Sequence, residues 1–234
     1  MFLIRRSTGA TPFELHRRYL GEHVPLALQH HPRLRRYVVN LADSPLPAGG
    51  TGEFPEGRPA VDAVGELFFE AMEDFTDPAR LYDSPEGEEA ILDNARSLGG
   101  TALGYRVAEY VHRDYERDWP LGQRSPGVKQ VVLVRRAAGL SPEQFAEHWL
   151  EHHAPLALAH HSGAWKYVAN VVVERLHPNA PEIDGIAELH FRSLEDLEQR
   201  RYDSDEGKAA IAADVARFVG ATAGVYVSEY VQKA

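Results

Sequence analysis

Two histidines that each precede a proline are the residues best suited to chemistry in this sequence. His23 stands two residues before Pro25, and His153 stands two residues before Pro155. A helix that continues past a proline bends there, because proline has no N–H to donate and crowds the previous turn. A histidine at such a bend could point its ring at a ligand, and its ordinary pKa of about 6.5 suits proton transfer at neutral pH. The alternative is a histidine that bonds a backbone carbonyl and only fixes the bend.

Two aspartates could orient the rings of these histidines. Asp62 and Asp184 each open a segment with the pattern of a third strand. A carboxylate beside His153 would fix the ring and stabilise its imidazolium form, which is an arrangement that acid–base catalysis uses. We therefore predict that Asp184 orients His153, and that His23 and Asp62 form a second or degenerate catalytic site. The alternative is that Asp184 caps a loop.

The alternation of residue types after Asp184 predicts which side chains share one face of a strand. Asp184, Glu188 and His190 fall on one face, and Leu189 falls on the other. The apolar face suits packing against helices, so Glu188 and His190 are expected to look into a barrel, where a buried polar group needs a partner or a task. We predict that both contact the substrate. The alternative is that Glu188 pairs with an arginine such as Arg136.

Two tyrosines, Tyr37 and Tyr167, occupy matching positions on the predicted second strands. Either phenol could enter a cavity as a hydrogen-bond donor or as an acid, so we predict that both contact the substrate. The alternative is an ordinary core tyrosine whose hydroxyl is bonded within the protein. Trp149, on the first helix of the second half, is expected to be a packing residue.

Metal binding is a separate hypothesis for the histidines. His148 and His152 are four residues apart, the spacing that lets two imidazoles on one helical face share an ion. The matching positions of the first half hold Arg18 and Glu22, and no adjacent carboxylate completes a known metal pattern. We therefore predict solvated helix residues here, with no metal and no cofactor. Ligation of a metal or a haem by this histidine cluster is the open alternative.

The composition is that of an ordinary globular protein, and it excludes several classes of function. Of the 234 residues, 44% are hydrophobic and 26% are charged, and a net charge of −10 argues against binding to nucleic acid phosphates. The absence of cysteine excludes disulfides, thiolate metal sites and cysteine nucleophiles. No apolar run is as long as a membrane span, and the N-terminus lacks the charge order of a signal peptide. We expect a cytoplasmic protein that acts on a small-molecule substrate, with no nucleic acid or membrane partner.

The elements that position these residues occur twice, because one unit is repeated along the chain. Thirteen of the 29 residues from 3 to 31 are identical to the residue 130 positions later. The proline- and glycine-rich segment 44–59 has no equivalent of the same length in the second half, and it is predicted to be a surface loop. The predicted organisation is a first repeat over residues 1–113, a linker over 114–127 and a second repeat over 128–234.

Each repeat has the pattern strand, helix, strand, strand, helix, strand. Thr11 before Pro12 and Ser141 before Pro142 are typical helix N-caps. Four strands with two helices on one face make an α+β, ferredoxin-like βαββαβ unit. A single unit would leave an apolar sheet face exposed to water. We therefore predict that the two repeats pack sheet to sheet and enclose a barrel within one chain, as a monomer or as a homodimer of such barrels.

Three segments of the second half carry a resemblance to a known family. Residues 139–156 resemble the first-helix signature of EthD-domain proteins, which ends in histidine, alanine and proline. Residues 166–170 and 184–193 are similar to the two strand motifs that follow in that family. The chain is identified as a tandem pair of EthD-like units, since the resemblance covers nearly all of it. It implies an intramolecular version of the dimeric α+β barrel, whose members act on ligands inside the barrel.

The first half departs from the family pattern at three positions. Val24 replaces the alanine after the histidine, Tyr19 replaces the tryptophan, and Ala63 replaces the glycine after the aspartate. Because the departures lie beside the predicted site residues, the resemblance does not imply equal activity of the two halves.

The residues and the resemblance together predict an enzyme that acts on an aromatic or polyketide-like molecule. The expected reaction is a cofactor-independent acid–base step of the lyase class, such as dehydration or cyclisation. His153 would move the proton and Asp184 would orient it. Relatives of this fold also include cofactor-free monooxygenases, which tryptophans in the cavity would favour. The third hypothesis is a non-enzymatic ligand-binding accessory protein.

Overall fold

The computed structural model describes residues 1–47, 51–98 and 100–234. Each half has the order strand, helical region, strand, strand, helical region, strand, as the sequence pattern predicts. The strands of the described residues are β1 Phe2–Arg5, β2 Arg36–Pro45, β3 Ala63–Phe68, β4 Thr101–Arg113, β5 Val128–Arg136, β6 Ala164–Arg175, β7 Gly185–Phe191 and β8 Val219–Lys233.

The helices of the described residues are α1 Pro12–Arg18, α2 Val24–His30, α3 Glu73–Thr76, α4 Pro78–Leu81, α5 Pro85–Ser97, α6 Pro142–Glu147, α7 Ala154–His160, α8 Leu194–Gln199 and α9 Asp205–Phe218. The second helical region of each half is interrupted just before a serine N-cap. Ser84 and Ser204 accept hydrogen bonds from the N–H groups of Gly87 and Gly207, so each break lies three residues before its glycine. Within the described ranges, no helix combines the length and the apolar character needed to cross a membrane.

The first helical region of each half begins at the predicted cap and widens in its middle. Thr11 and Ser141 each form a capping box with the third helical residue, as predicted. A π-helical turn, Tyr19–His23 or His148–His153, then joins the two α-helical pieces. Each π-helical turn closes with a bond between residues five apart, so the helix continues past the proline. The last residue of the wide turn is the histidine singled out by the sequence.

The eight strands form one closed antiparallel barrel in the order β1-β3-β2-β8-β5-β7-β6-β4. Each half contributes four neighbouring strands, and the halves meet where β2 pairs with β8 and where β4 pairs with β6. The predicted α+β barrel within one chain is therefore confirmed.

Alternate residues of each strand face the inside and the outside of the barrel. Leu133 and Ile186 belong to the apolar cluster of the interior, whereas Val134 and Ala187 pack against the helices outside. Glu188 lies two residues after Ile186 and shares its inward face. The helices cover the outer face, so the barrel has a core inside it and a second packing layer around it.

The segment 44–59 is more than a surface loop. Phe54 is 5% exposed and packs in the interior apolar cluster. Thr51 bonds Thr222 of β8, with 2.6 Å between the two hydroxyl oxygens. The prediction of a surface loop is wrong for these residues, because an apolar ring at the barrel end is buried when the segment folds back. The part of this segment at residues 48–50 lies outside the described residues.

Candidate functional site

A cavity of about 500 Å³ lies between the helices of the second half and the outer face of its strands. We call it the second-half cavity. Its walls are mainly apolar. Six larger side chains with polar atoms also line it, namely Trp149, His153, His161, Tyr167, Arg201 and Tyr202. Representative apolar residues of the lining are Val132, Val134, Leu189, Ile211, Val215 and Phe218. The predicted site histidine therefore lines a cavity outside the barrel, and the expectation of a pocket inside the barrel is wrong for His153. The reason is that the helix carrying it packs on the outer face.

His153 is held by a carboxylate that the sequence analysis did not select. Its Nδ1 lies 2.9 Å from Oδ2 of Asp214, a residue of α9. A carboxylate can only accept, so Nδ1 carries the proton and Nε2 keeps its lone pair. Burial lowers the pKa of His153, although the bond to Asp214 works in the opposite direction. The ring is therefore neutral at neutral pH and suited to act as a base.

Asp214 bridges two imidazoles. Its second oxygen lies 2.9 Å from Nε2 of His148, which stacks on Phe218. Burial alone would raise the pKa of Asp214, but the hydrogen bonds from His153 and His148 outweigh it, and the pKa is lowered. The carboxylate is thus ionised at neutral pH, and it would stabilise His153 when the ring takes up a proton.

Tyr167 and Trp149 form a second polar pair in the same cavity. The indole N–H of Trp149 donates to the hydroxyl oxygen of Tyr167 at 2.8 Å. Burial raises the pKa of Tyr167 well above its ordinary value, so the phenol keeps its proton and can donate a hydrogen bond to a ligand. The ring of Trp149 lies against Gly185, where a Cβ would collide with it. The glycine after Asp184 thus makes room for the tryptophan.

The two predicted aspartates lie elsewhere. Asp184 accepts from the backbone N–H of Arg136 at 2.8 Å and pairs with the guanidinium of the same residue. Asp62 makes the same two contacts with Arg6. The structure therefore does not bring Asp184 to His153 or Asp62 to His23, because each aspartate is held by an arginine that stands at or directly after the end of the neighbouring strand.

Glu188 and His190 face the barrel interior, on the opposite side of the sheet from His153. Glu188 pairs with Lys129 at 2.6 Å between Oε2 and Nζ, not with Arg136. His190 Nε2 lies 2.8 Å from the backbone oxygen of Pro126. Neither residue lines the second-half cavity, so the predicted substrate contacts are divided between two sides of one sheet. Strand alternation alone accounts for this division.

The interior charges form a cluster drawn from both halves. Lys129 is 2% exposed, and its Nζ also lies 2.6 Å from Glu229 and 3.4 Å from Glu66. Burial and the neighbouring carboxylates raise the pKa of Glu66 to about 7. Burial works to raise the pKa of Glu229, but the ammonium of Lys129 outweighs it and lowers that pKa to about 2. One ammonium therefore serves three buried carboxylates.

The first half has a smaller cavity at the matching place, of about 200 Å³, which we call the first-half cavity. His23 lines it, and its Nδ1 lies 3.0 Å from the amide oxygen of Asn94, the residue that corresponds to Asp214. Tyr19 also lines it, and the hydroxyl of Tyr37 behind it donates to Tyr19 over 3.3 Å. Tyr37 itself does not line this cavity, so the structure does not place it where we predicted a substrate contact.

His148 and His152 remain neighbours on the π-helical turn, with 5.4 Å between ring centres. His148 is engaged by Asp214. Residues 1–47, 51–98 and 100–234 contain no group of three or more histidine, cysteine, aspartate or glutamate side chains that could hold a metal ion.

The partner of His153 could have been found from the repeat. Residues 82–87 and 202–207 match at a shift of 120, and the same shift places Asp214 opposite Asn94. A change from a neutral amide to a carboxylate on the helix facing the histidine is the signal that the sequence analysis missed.

The fold and the cavities define a class, the α+β barrel proteins in which helices and sheet enclose a space for a small molecule. The EthD domain model matches residues 7–96 and 137–222, which is more than half of the chain, and the chain therefore belongs to the EthD-domain family. A solved structure described as a crystal structure study of an anthrone oxidase-like protein is similar to it, with a TM-score of 0.60 and 13% identity. That similarity covers 100% of this chain and 93% of the other, and at such low identity it shows the fold alone. Comparison with curated proteins finds no match.

Proposed function

We propose that the chain, built of two ferredoxin-like repeats, is an enzyme whose second-half cavity removes a proton from a small aromatic or polyketide-like molecule. The observation that carries the proposal is the pair of His153 and Asp214 at the wall of an apolar cavity of about 500 Å³. A neutral imidazole, oriented by an ionised carboxylate and facing an apolar space, is a general base. The membership of the EthD-domain family supports a small-molecule substrate.

Proton removal needs a base that accepts the proton. It also needs a hydrogen-bond donor that stabilises the negative charge left on the substrate. His153 Nε2 takes the proton from a carbon that is conjugated with a carbonyl group, directly or through an aromatic ring. The hydroxyl of Tyr167 donates to the carbonyl oxygen as that oxygen becomes negative. Asp214 stabilises the resulting imidazolium but touches no substrate, so it is a positioning residue. These groups come from three elements, which pack together only in the folded chain.

Loss of water completes a lyase reaction without further groups. The bond between the β-carbon and its hydroxyl breaks, and the leaving oxygen takes the proton from His153 Nε2. The products are an unsaturated carbonyl compound and water, and His153 returns to its neutral form. This is our first candidate function, and it needs no cofactor because one side chain both removes and returns the proton.

The presence of Trp149 in the cavity favours a second candidate, a cofactor-free monooxygenase. The same carbanion would react with dioxygen, so that a CH2 group becomes a carbonyl group and one oxygen atom leaves as water. The anthrone oxidase-like protein of similar fold supports testing this reaction with anthrone, whose CH2 group has acidic hydrogens.

The shared first step can be measured with anthrone alone. We expect the protein to accelerate exchange of the CH2 hydrogens for deuterium in D2O under nitrogen, where oxidation cannot occur. His153→Gln should lower the enzymatic exchange rate by about 10²-fold or more, since the base is lost. His23→Gln is the matched control and should leave the rate unchanged.

The two candidate reactions are separated by oxygen. Formation of a naphthol from a β-hydroxytetralone under nitrogen supports the lyase, and oxygen uptake with anthrone supports the monooxygenase. Anthrone that binds tightly without faster exchange, with equal affinity for His153→Ala, would replace both by the accessory-protein hypothesis. Exchange that is unaffected by His153→Gln would overturn the assignment of the base.

A further inference from the structure

The first-half cavity has the features of a binding site whose histidine lacks a charged partner. It lies between the helices of the first half and the outer face of its strands, as the second-half cavity does. Most of its lining is apolar, including Ile4, Leu15, Leu67, Phe75, Leu81 and Ile91. Such a wall attracts an apolar ligand, because moving apolar surface out of water is favourable.

The volume limits the size of the ligand. At about 200 Å³ the first-half cavity is less than half as large as the second-half cavity. An apolar protein cavity of roughly 150 Å³ accepts benzene. The first-half cavity therefore suits a molecule of one or two aromatic rings, and a three-ring molecule such as anthrone is too large for it.

The polar atoms of the wall are neutral. Asn94 accepts from Nδ1 of His23 through its amide oxygen, which leaves Nε2 of His23 with a lone pair. Tyr19, beside this ring, brings a hydroxyl to the cavity. These atoms can bond a single hydroxyl group of a ligand. An amide carries no charge to stabilise a protonated imidazole, and burial lowers the pKa of His23.

We infer that the first-half cavity binds a neutral phenol of one or two rings, with its hydroxyl on His23 Nε2, and holds it without removing a proton. This site is separate from the second-half cavity and does not depend on the proposed function. The chain would then carry one reactive cavity and one that only binds.

The test uses calorimetric titration of the full chain with a naphthol. Ala95 and Val215 are matching residues that line the first-half and second-half cavities respectively. Ala95→Phe fills the smaller cavity, and Val215→Phe is its matched control in the other half. We expect Ala95→Phe to lose one binding site per chain while keeping the rate of deuterium exchange into anthrone. Val215→Phe should keep the naphthol site of the first half.

A second variant tests the hydroxyl contact without filling the cavity. His23→Leu should weaken naphthol binding at this site about fivefold to tenfold, the usual worth of one hydrogen bond, and leave naphthalene binding unchanged. Equal loss for both molecules would overturn the hydroxyl contact. If Ala95→Phe binds as many naphthol molecules per chain as the parent does, and its far-ultraviolet spectrum is unchanged, the binding site itself is overturned. Failure of the exchange assay would contradict only the proposed function.

Discussion

The two cavities of this chain are built alike and differ in the charge of the residue that holds the histidine. Each lies under a helix whose π-helical turn ends in a histidine before a proline. In the second half a carboxylate of Asp214 holds that histidine, and in the first half the amide of Asn94 does so. Both halves therefore keep the π-helical turn that ends in a histidine. The side chain at position 94 or 214 decides whether that histidine has a charged partner.

The two halves also differ in how the helix with the π-helical turn packs against the sheet. Trp149 fits because position 185 is glycine, and the corresponding pair of the first half is Tyr19 and Ala63. The hydroxyl of Tyr19 instead approaches Gly65, where a Cβ would lie 2.7 Å from it. Two of the three departures of the first half, Tyr19 and Ala63, are therefore one coordinated change in packing between a helix and the sheet.

The largest expected effect comes from removing the interior charge cluster of the barrel against which both cavities are built. Lys129→Met leaves three carboxylates without their buried ammonium, and we expect the free energy of unfolding to fall by about 3–5 kcal/mol. Urea unfolding measures this loss, and the binding of naphthol and the exchange of anthrone should disappear in the same transition. A loss below about 1 kcal/mol would contradict the idea that the interior cluster joins the halves.

Glu66→Gln is the control for this experiment. The pKa of Glu66 is raised from 4.5 to about 7, so the folded protein keeps a proton that the unfolded chain loses between these pH values. The parent therefore loses stability as the pH rises through this window, by no more than about 3 kcal/mol, and the glutamine variant does not. Parallel pH profiles of the two proteins would contradict the raised pKa.

The second prediction converts the reactive cavity into the neutral one. Asp214→Asn should slow deuterium exchange into anthrone by about 10²-fold, which corresponds to about 2.7 kcal/mol, with little change in anthrone affinity. Exchange by the parent should decline as the pH falls through the lowered pKa of His153, below 6.5, because the base becomes protonated. In the variant this decline should move to lower pH, since the charge that raises the pKa is gone. An unshifted profile would mean that Asp214 has only a structural role.

The third prediction tests the linked packing difference. Gly185→Ala places a methyl group against the ring of Trp149, and we expect a loss of about 1–3 kcal/mol in the free energy of unfolding. Adding Trp149→Tyr, which reproduces the combination of the first half, should recover most of this loss. Thermal unfolding of the single and double variants measures the coupling, and additive effects would contradict the contact.

The smallest expected effect comes from the reverse substitution in the first half, which replaces an amide by a carboxylate. Asn94→Asp should raise the pKa of His23 by about one unit, because an ionised partner favours the imidazolium. Nuclear magnetic resonance of the His23 ring across pH measures it, with Asn94→Gln as the uncharged control. A pKa that stays unchanged in both variants would show that the charge at this position does not distinguish the halves.

Much of the fold could be predicted because it depends on local patterns. The repeat, the helix caps at Thr11 and Ser141, and the alternation that turns Glu188 inward and Leu189 outward all follow from short-range spacing. Those features are set by backbone geometry and by the period of apolar residues, which a sequence displays directly.

The site could be predicted only in part. His153 and Tyr167 were selected from the sequence, and they lie together in one cavity, whereas Asp184 and His190 lie away from it. Sequence proximity and residue type favoured Asp184 as the partner of His153. Nothing local distinguishes it from Asp214, which is 61 positions from the histidine.

The sequence by itself determined that one unit occurs twice, which residues alternate on each strand, and which histidine precedes the proline of each first helical region. Only the tertiary structure decided which carboxylate meets which histidine, and on which side of the sheet the cavity lies. The physical reason is that side chains distant along the chain meet through the packing of α9 on the helix that carries His153. That packing is a property of the whole barrel and of the layer of helices around it.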